Sequence, residues 1–184
     1  MSNRHPPRID PREAHHVLPS PIEGLQLFLR HLPPRDAAKG VVLYVHGATF
    51  PSALSIAHRF DGRSWRDALC EAGFHVWGLD LLGYGESDRY PEMAQPADAH
   101  PALGRAEEAS RQIAAAARLI LDHHAARRLS IIAHSWGTIA AARFAGEHPQ
   151  LLERLVLVGP IAWRAPSGRE RPPAPPAWRT VSLQ

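Results

Sequence analysis

Four short apolar runs in the middle of the chain constrain its fold more than any other feature. They are VVLYVH (residues 41–46), HVWGLDL (75–81), LSIIA (129–133) and LVLV (155–158). Each is rich in β-branched or bulky apolar residues and lacks alternation with polar ones, the pattern of a strand buried on both faces of a parallel sheet. Stretches with helical spacing lie between them. Residues 65–72 end at Gly73, a suitable C-cap. Residues 104–126 are alanine-rich and contain no proline, and residues 136–147 are stopped by Pro149. This alternation predicts an α/β fold, a doubly wound, mostly parallel sheet flanked by helices with right-handed crossovers. Ahead of it, GLQLFLRHL (24–32) alternates and reads as a strand, and His16-Val17-Leu18 reads as a short edge strand.

Composition sets the remaining bounds. At 184 residues the chain suits one domain, and 45% hydrophobic residues are enough for a core. Residues 1–13 are polar and proline-marked and read as a loose N-terminal segment, residues 14–163 as the core. Residues 164–184, RAPSGRERPPAPPAWRTVSLQ, are too dense in proline and arginine to pack one. The net charge is +3 and the arginines are scattered, which argues against a nucleic-acid partner. No run is apolar enough for a secretory signal or a membrane span, so a cytoplasmic protein is expected. The sequence leaves the oligomeric state open. The single cysteine, Cys70, allows no internal disulfide and reads as a small buried hydrophobe.

In doubly wound sheets ligands bind beyond the carboxyl ends of the strands. After the third apolar run comes Ala133-His134-Ser135-Trp136-Gly137, and a helix follows at once. A strand–turn–helix with serine at its apex is a nucleophile elbow. The sharp turn demands small residues two before and two after the serine, a demand met by Ala133 and Gly137. His134 reads as packing or pocket lining. The bland alternative is a serine that N-caps the following helix. After the first run comes His46-Gly47-Ala48-Thr49. Acyl transfer needs two fixed N–H donors for the developing oxyanion. The amides of Ala48 and Trp136 are the candidates, with Gly47 allowing close backbone approach and His46 bracing the loop. Thr49, Phe50 and Tyr84, with Trp136, are candidate pocket-lining residues. An apolar small molecule, such as an acyl compound, is therefore the expected substrate. The loop Gly83-Tyr84-Gly85-Glu86-Ser87-Asp88 has aspartate where a dinucleotide fingerprint needs its last glycine, and no helix starts there. It reads as the site rim.

Taken together, VVLYVHGA, LDLLGYGESDR, AHSWGTIAAARFAGEHP and LERLVLVGP resemble consecutive blocks of the α/β-hydrolase superfamily, in order and spacing, from about residue 25 to residue 160. The resemblance implies Ser135 as nucleophile, backbone amides of Ala48 and Trp136 as oxyanion hole, and no cofactor. It does not choose among esterases, lipases and peptidases.

The chain departs from the superfamily in two ways. Ala133 stands where glycine is usual. The family order of nucleophile, acid and histidine is not completed: no histidine follows His148, and the only acid after Pro160 is Glu170. A serine without a base is a poor nucleophile. The expectation is therefore a serine hydrolase that is weak or inactive in this form, the partial core of a longer protein whose residues 164–184 begin a cap segment. Its last strand, 155–158, would form an exposed apolar edge. The alternative is a binding protein that keeps the fold without catalysis. No His-x-x-x-His lies beside a glutamate, so no metal is expected. His15-His16 and His123-His124 read as solvated pairs, with His58 and His100 as remote candidates for a base.

Overall fold

The computed structural model describes residues 7–162. Six strands form one sheet in the order β1-β2-β4-β3-β5-β6. They are β1 (Ala14–Pro19), β2 (Gln26–Leu32), β3 (Gly40–Val45), β4 (Phe74–Asp80), β5 (Leu129–His134) and β6 (Leu152–Val158). Strands β4, β3, β5 and β6 run parallel to one another, whereas β2 is antiparallel to both β1 and β4. The helices are α1 (Trp65–Glu71), α2 (Ala106–His123) and α3 (Gly137–Glu147). The expected tail at 164–184 lies outside the described residues.

The first three apolar runs become the buried strands β3, β4 and β5 because each face of the sheet has its own cover. The fourth, expected to be buried on both faces, forms β6 and has no buried residue, because the described residues leave it largely uncovered. Leu43 and Val45 of β3, with Trp77, Leu79 and Ile131, pack beneath Ile113, Ala117 and Ile120 of α2 and Phe144 of α3. Val42 and Tyr44, one residue out of step, pack with Val76, Ile132 and Cys70 of α1. Strand side chains alternate between faces, so a strand covered on both sides must be apolar throughout. Helix α1 starts at a capping box: Asp67 N–H donates to Ser64 Oγ, and Ser64 N–H donates to Asp67 Oδ2. This satisfies two amides that the first turn otherwise leaves open.

The first strand is longer than the three residues expected, and it pairs with β2 along its whole length. The expected loose segment also differs. Within 7–13, Asp10 and Glu13 are buried. Glu13 accepts from Arg30 Nη1 at 2.6 Å and from Arg66 Nη1 at 2.5 Å, and His15 Nε2 lies 2.6 Å from the same carboxylate. Asp10 pairs with Arg12 and Arg59. Partners 17 to 53 residues away hold this polar segment down, and no local pattern reveals them.

Strand β6 is bonded to β5 along one edge, and its other edge has no partner among the described residues. Val156 and Leu157 remain 46% and 39% exposed. An apolar strand edge of this kind templates pairing with another chain. The purified 184-residue chain is expected to self-associate at micromolar concentration. Light scattering that showed only monomer up to high concentration would contradict this.

Candidate active site

Three adjacent strands, β4, β3 and β5, deliver their carboxyl ends to one rim of the sheet. Ser135 follows β5, the segment Gly47–Thr49 follows β3, and the 81–88 loop follows β4. Ser135 sits at φ 51°, in the left-handed region, which costs a non-glycine residue about 1–2 kcal/mol. The tight turn is held from several sides. Ser135 N–H donates to Val158 O at 2.9 Å, and its carbonyl accepts from Thr138 N–H and from Thr138 Oγ1. A Cβ on Gly137 would stand 2.3 Å from the His46 carbonyl oxygen, so only glycine lets β3 approach the elbow. Gly47 is also close: its Cβ would lie 3.1 Å from that of Ser135.

Ser135 does not cap α3. Its hydroxyl makes no hydrogen bond among the described residues, and the N-cap position falls to Trp136, without a side-chain bond. The N–H groups of Ala48 and Trp136 donate to nothing among the described residues. Both flank the serine at the amino end of a helix or in a loop beside it, where unpaired amides suit a developing anion.

His46 is fully buried, and both ring nitrogens are engaged. Nδ1 lies 2.6 Å from Gly47 O, and Nε2 accepts from Leu81 N–H at 3.0 Å. Burial holds the ring below its ordinary titration range, against the opposing pull of the Gly47 carbonyl and the Asp80 charge. His46 therefore ties the exits of β3 and β4 together as a neutral imidazole. Asp80 anchors the same rim, accepting from the amides of Ser52 and Glu86. His134 is exposed and stands against Gly47. His100 lies near the carbonyls of Pro101 and Glu92, and His58 stacks edge-on against Phe60. Among the described residues, no imidazole or carboxylate bonds Ser135 Oγ.

A cavity of about 570 Å³ opens beside the elbow. Ala48, Thr49, Phe50, Tyr84 and Trp136 line it, together with Tyr90, Met93, Leu103 and Gln112, which the sequence reading did not select. Gln112 carried a usable signal. It is a polar residue beside the apolar stripe of α2, buried and bonded to Leu82 N–H and Tyr90 Oη. Tyr90, Met93 and Leu103 come from the irregular 89–105 segment, where no periodicity marks an inward face.

A family model described as the alpha/beta hydrolase fold matches residues 40–180. The chain is 28% identical over 147 residues to the probable lysophospholipase BODYGUARD 3 of Arabidopsis thaliana, covering 79% of this chain and 26% of that protein. It is 28% identical over 152 residues to epoxide hydrolase B of Mycobacterium tuberculosis, covering 76% and 36%. Among solved structures, a probable hydrolytic enzyme from Pseudomonas aeruginosa PAO1 matches with TM-score 0.57 and 27% identity, over 83% of this chain and 46% of the other. The epoxide hydrolase VrEH1 of Vigna radiata matches with TM-score 0.57 at 18% identity, over 88% and 44%, which bears on the fold alone. The chain thus spans from about a quarter to just over a third of the length of these curated relatives. No helix among the described residues is long and apolar enough to cross a membrane.

Proposed function

Since the chain belongs to the α/β-hydrolase fold family, we propose that it carries the nucleophile and oxyanion hole of a serine hydrolase acting on an ester or related acyl bond. One observation carries this reading: Ser135 stands at a strained turn against Gly47, and the amides of Ala48 and Trp136, the residues next after Gly47 and after Ser135, have no hydrogen-bond partner among the described residues. In the proposed reaction Ser135 Oγ attacks the carbonyl carbon and gives its proton to a base. The two amides hold the negative oxygen. The alcohol then leaves, and water releases the acid from the acyl-serine.

The relatives include a probable lysophospholipase and an epoxide hydrolase. The nucleophile separates these chemistries. Attack by a serine hydroxyl on an epoxide carbon leaves an ether, which water does not turn over. Attack on an acyl carbon leaves an ester, which it does. Ser135 therefore favours acyl substrates.

The apolar lining of the cavity supports a preference for longer acyl groups, since each buried methylene contributes about 0.8 kcal/mol. On a catalytically active form, kcat/KM for a hexanoate ester is expected to exceed that for the acetate of the same alcohol at least several-fold. A clear acetate preference would count against the pocket assignment.

The reading requires a base from outside the described residues, because none within them reaches Ser135 Oγ. That same observation favours a second reading, a binding protein that keeps the fold without catalysis. Intact-mass labelling with a fluorophosphonate probe tests whether Ser135 is activated. Labelling of the parent chain and not of Ser135→Ala supports an activated serine. A folded chain that stays unlabelled means that Ser135 needs a base that these residues do not supply.

A further inference from the structure

At the opposite end of the sheet from Ser135, five histidines gather on one face around Trp77. Strand register explains the gathering. His31 of β2 pairs directly with Trp77 of β4, and His16 of β1 pairs with Leu29, one step along that face. His75 lies two residues before Trp77, so it shares the face. Helix α2 ends over this spot and delivers His123 as its last residue and His124 as its cap. The rings of His31 and Trp77 stack at 4.2 Å, and those of His75 and His124 lie 4.2 Å apart.

We propose that His31, His75 and His124 form a metal site that takes one late first-row divalent cation, with Zn2+ as its probe, through three imidazole nitrogens. The inference is independent of the reading of Ser135. It also departs from the sequence expectation of no metal, because the three ligands come from three elements and share no local spacing.

The geometry is close to that of a bound ion. One nitrogen from each of the three rings lies within 4.8 Å of the other two. His31 Nε2 and His75 Nδ1 are already 3.0 Å apart, while two nitrogens on one tetrahedral zinc are about 3.4 Å apart. Binding an ion requires the three nitrogens, now within 4.8 Å of one another, to draw in, and a lone pair on His124 Nε2 given to the ion is lost to the bond it now accepts from Trp77 Nε1–H at 2.9 Å. The cation takes the place of the proton between His31 and His75, and the ring that held that proton is reprotonated from water on its other nitrogen, so that both rings bind as neutral imidazoles.

Three further observations favour a cation here. His31 is buried while His75 and His124 are half-buried, so an ion can enter and a fourth position stays open to water. The carboxyl end of the 18-residue α2 presents its negative dipole end to the cluster. His16 Nε2 is buried with no hydrogen-bond partner among the described residues, an unsatisfied imidazole nitrogen in the same group. A trio of imidazoles suits zinc, copper or nickel better than magnesium or calcium.

The test uses the full chain, freed of metal by chelator and titrated with ZnCl2 while heat and tryptophan emission are recorded. One equivalent is expected to bind at micromolar or lower concentration, to change the emission, and to be reversed by EDTA. His75→Gln and His124→Gln, both at half-buried positions, are expected to weaken binding at least tenfold, as is His31→Gln. Trp77→Phe is expected to keep the binding and lose the emission change. His58→Gln, at an exposed site, is expected to bind as the parent does. Absence of stoichiometric binding by the parent overturns the proposal without recourse to any variant. Unchanged affinity in folded His75→Gln and His124→Gln overturns it too, because the zinc would then sit on other histidines.

Discussion

Replacing Glu13 by glutamine is expected to lower the unfolding free energy by about 3–5 kcal/mol, the usual cost of removing one member of a buried ion group. Glu13 is the common acceptor for Arg30 and Arg66, and all three side chains are essentially inaccessible to water. Glutamine fills the same space but leaves two guanidinium groups facing a neutral amide. Arg66 has no reserve, since its Nε and Nη2 already lack partners among the described residues. The pH dependence isolates the charge. Burial pushes the Glu13 carboxyl up, but the hydrogen bond and charge of Arg66, with help from His15 and Arg30, more than offset this and leave it below the ordinary range. A depressed carboxyl stabilises the fold above its unfolded pKa, and that contribution disappears as the pH falls through its folded value. The gap between parent and Glu13→Gln should therefore be full at neutral pH and narrow below about pH 4.3. Urea unfolding of both chains across that range checks it, and a gap independent of pH would show that the effect is one of packing.

Two glycines of α3 should respond to alanine in opposite directions. At Gly137 the added methyl meets the carbonyl oxygens of His46 at 2.3 Å and Val45 at 2.9 Å. Both are backbone atoms of β3 or its exit and cannot swing aside. Gly137→Ala is expected to cost about 3 kcal/mol, the upper end for overpacking, and to shift the elbow enough to abolish any labelling of Ser135. At Gly146 nothing lies within 4 Å of the added atom. Gly146→Ala should stabilise the chain by about 0.5–1 kcal/mol, because alanine restricts the unfolded chain and suits a helix interior. Thermal melts of the two variants side by side decide the matter. A Gly137→Ala chain as stable as its parent would mean that the elbow is not packed against β3.

The buried strands were legible because burial on both faces leaves no room for polar residues, so the apolar runs alone marked β3, β4 and β5; the run of β6 marked a strand too, but one left largely uncovered among the described residues. The elbow was legible for a similar reason: a turn this sharp accepts few residues beside the serine, and Ala133 and Gly137 are small enough. Thr49, Phe50 and Tyr84 could be placed at the cavity because they follow directly on strands whose ends define the site rim. The Glu13 anchor was not legible, since the anchor depends on Arg30 and Arg66, which are distant in sequence and look like ordinary surface arginines. Nor was the pocket wall from Tyr90 to Leu103, where the chain follows no period. The histidines show the division most clearly. In the sequence His15-His16 and His123-His124 looked like solvated pairs, because neighbours along an element point apart. That reasoning is sound for one element and fails when strand register and a helix end bring His16, His31, His75, His123 and His124 onto a shared face. The sequence by itself determined where the chain is strand, where it is helix and where it turns, because hydrophobic period and turn sterics act over a few residues. Only the tertiary structure decided which charges and imidazoles meet, because those contacts depend on register between strands that are distant along the chain.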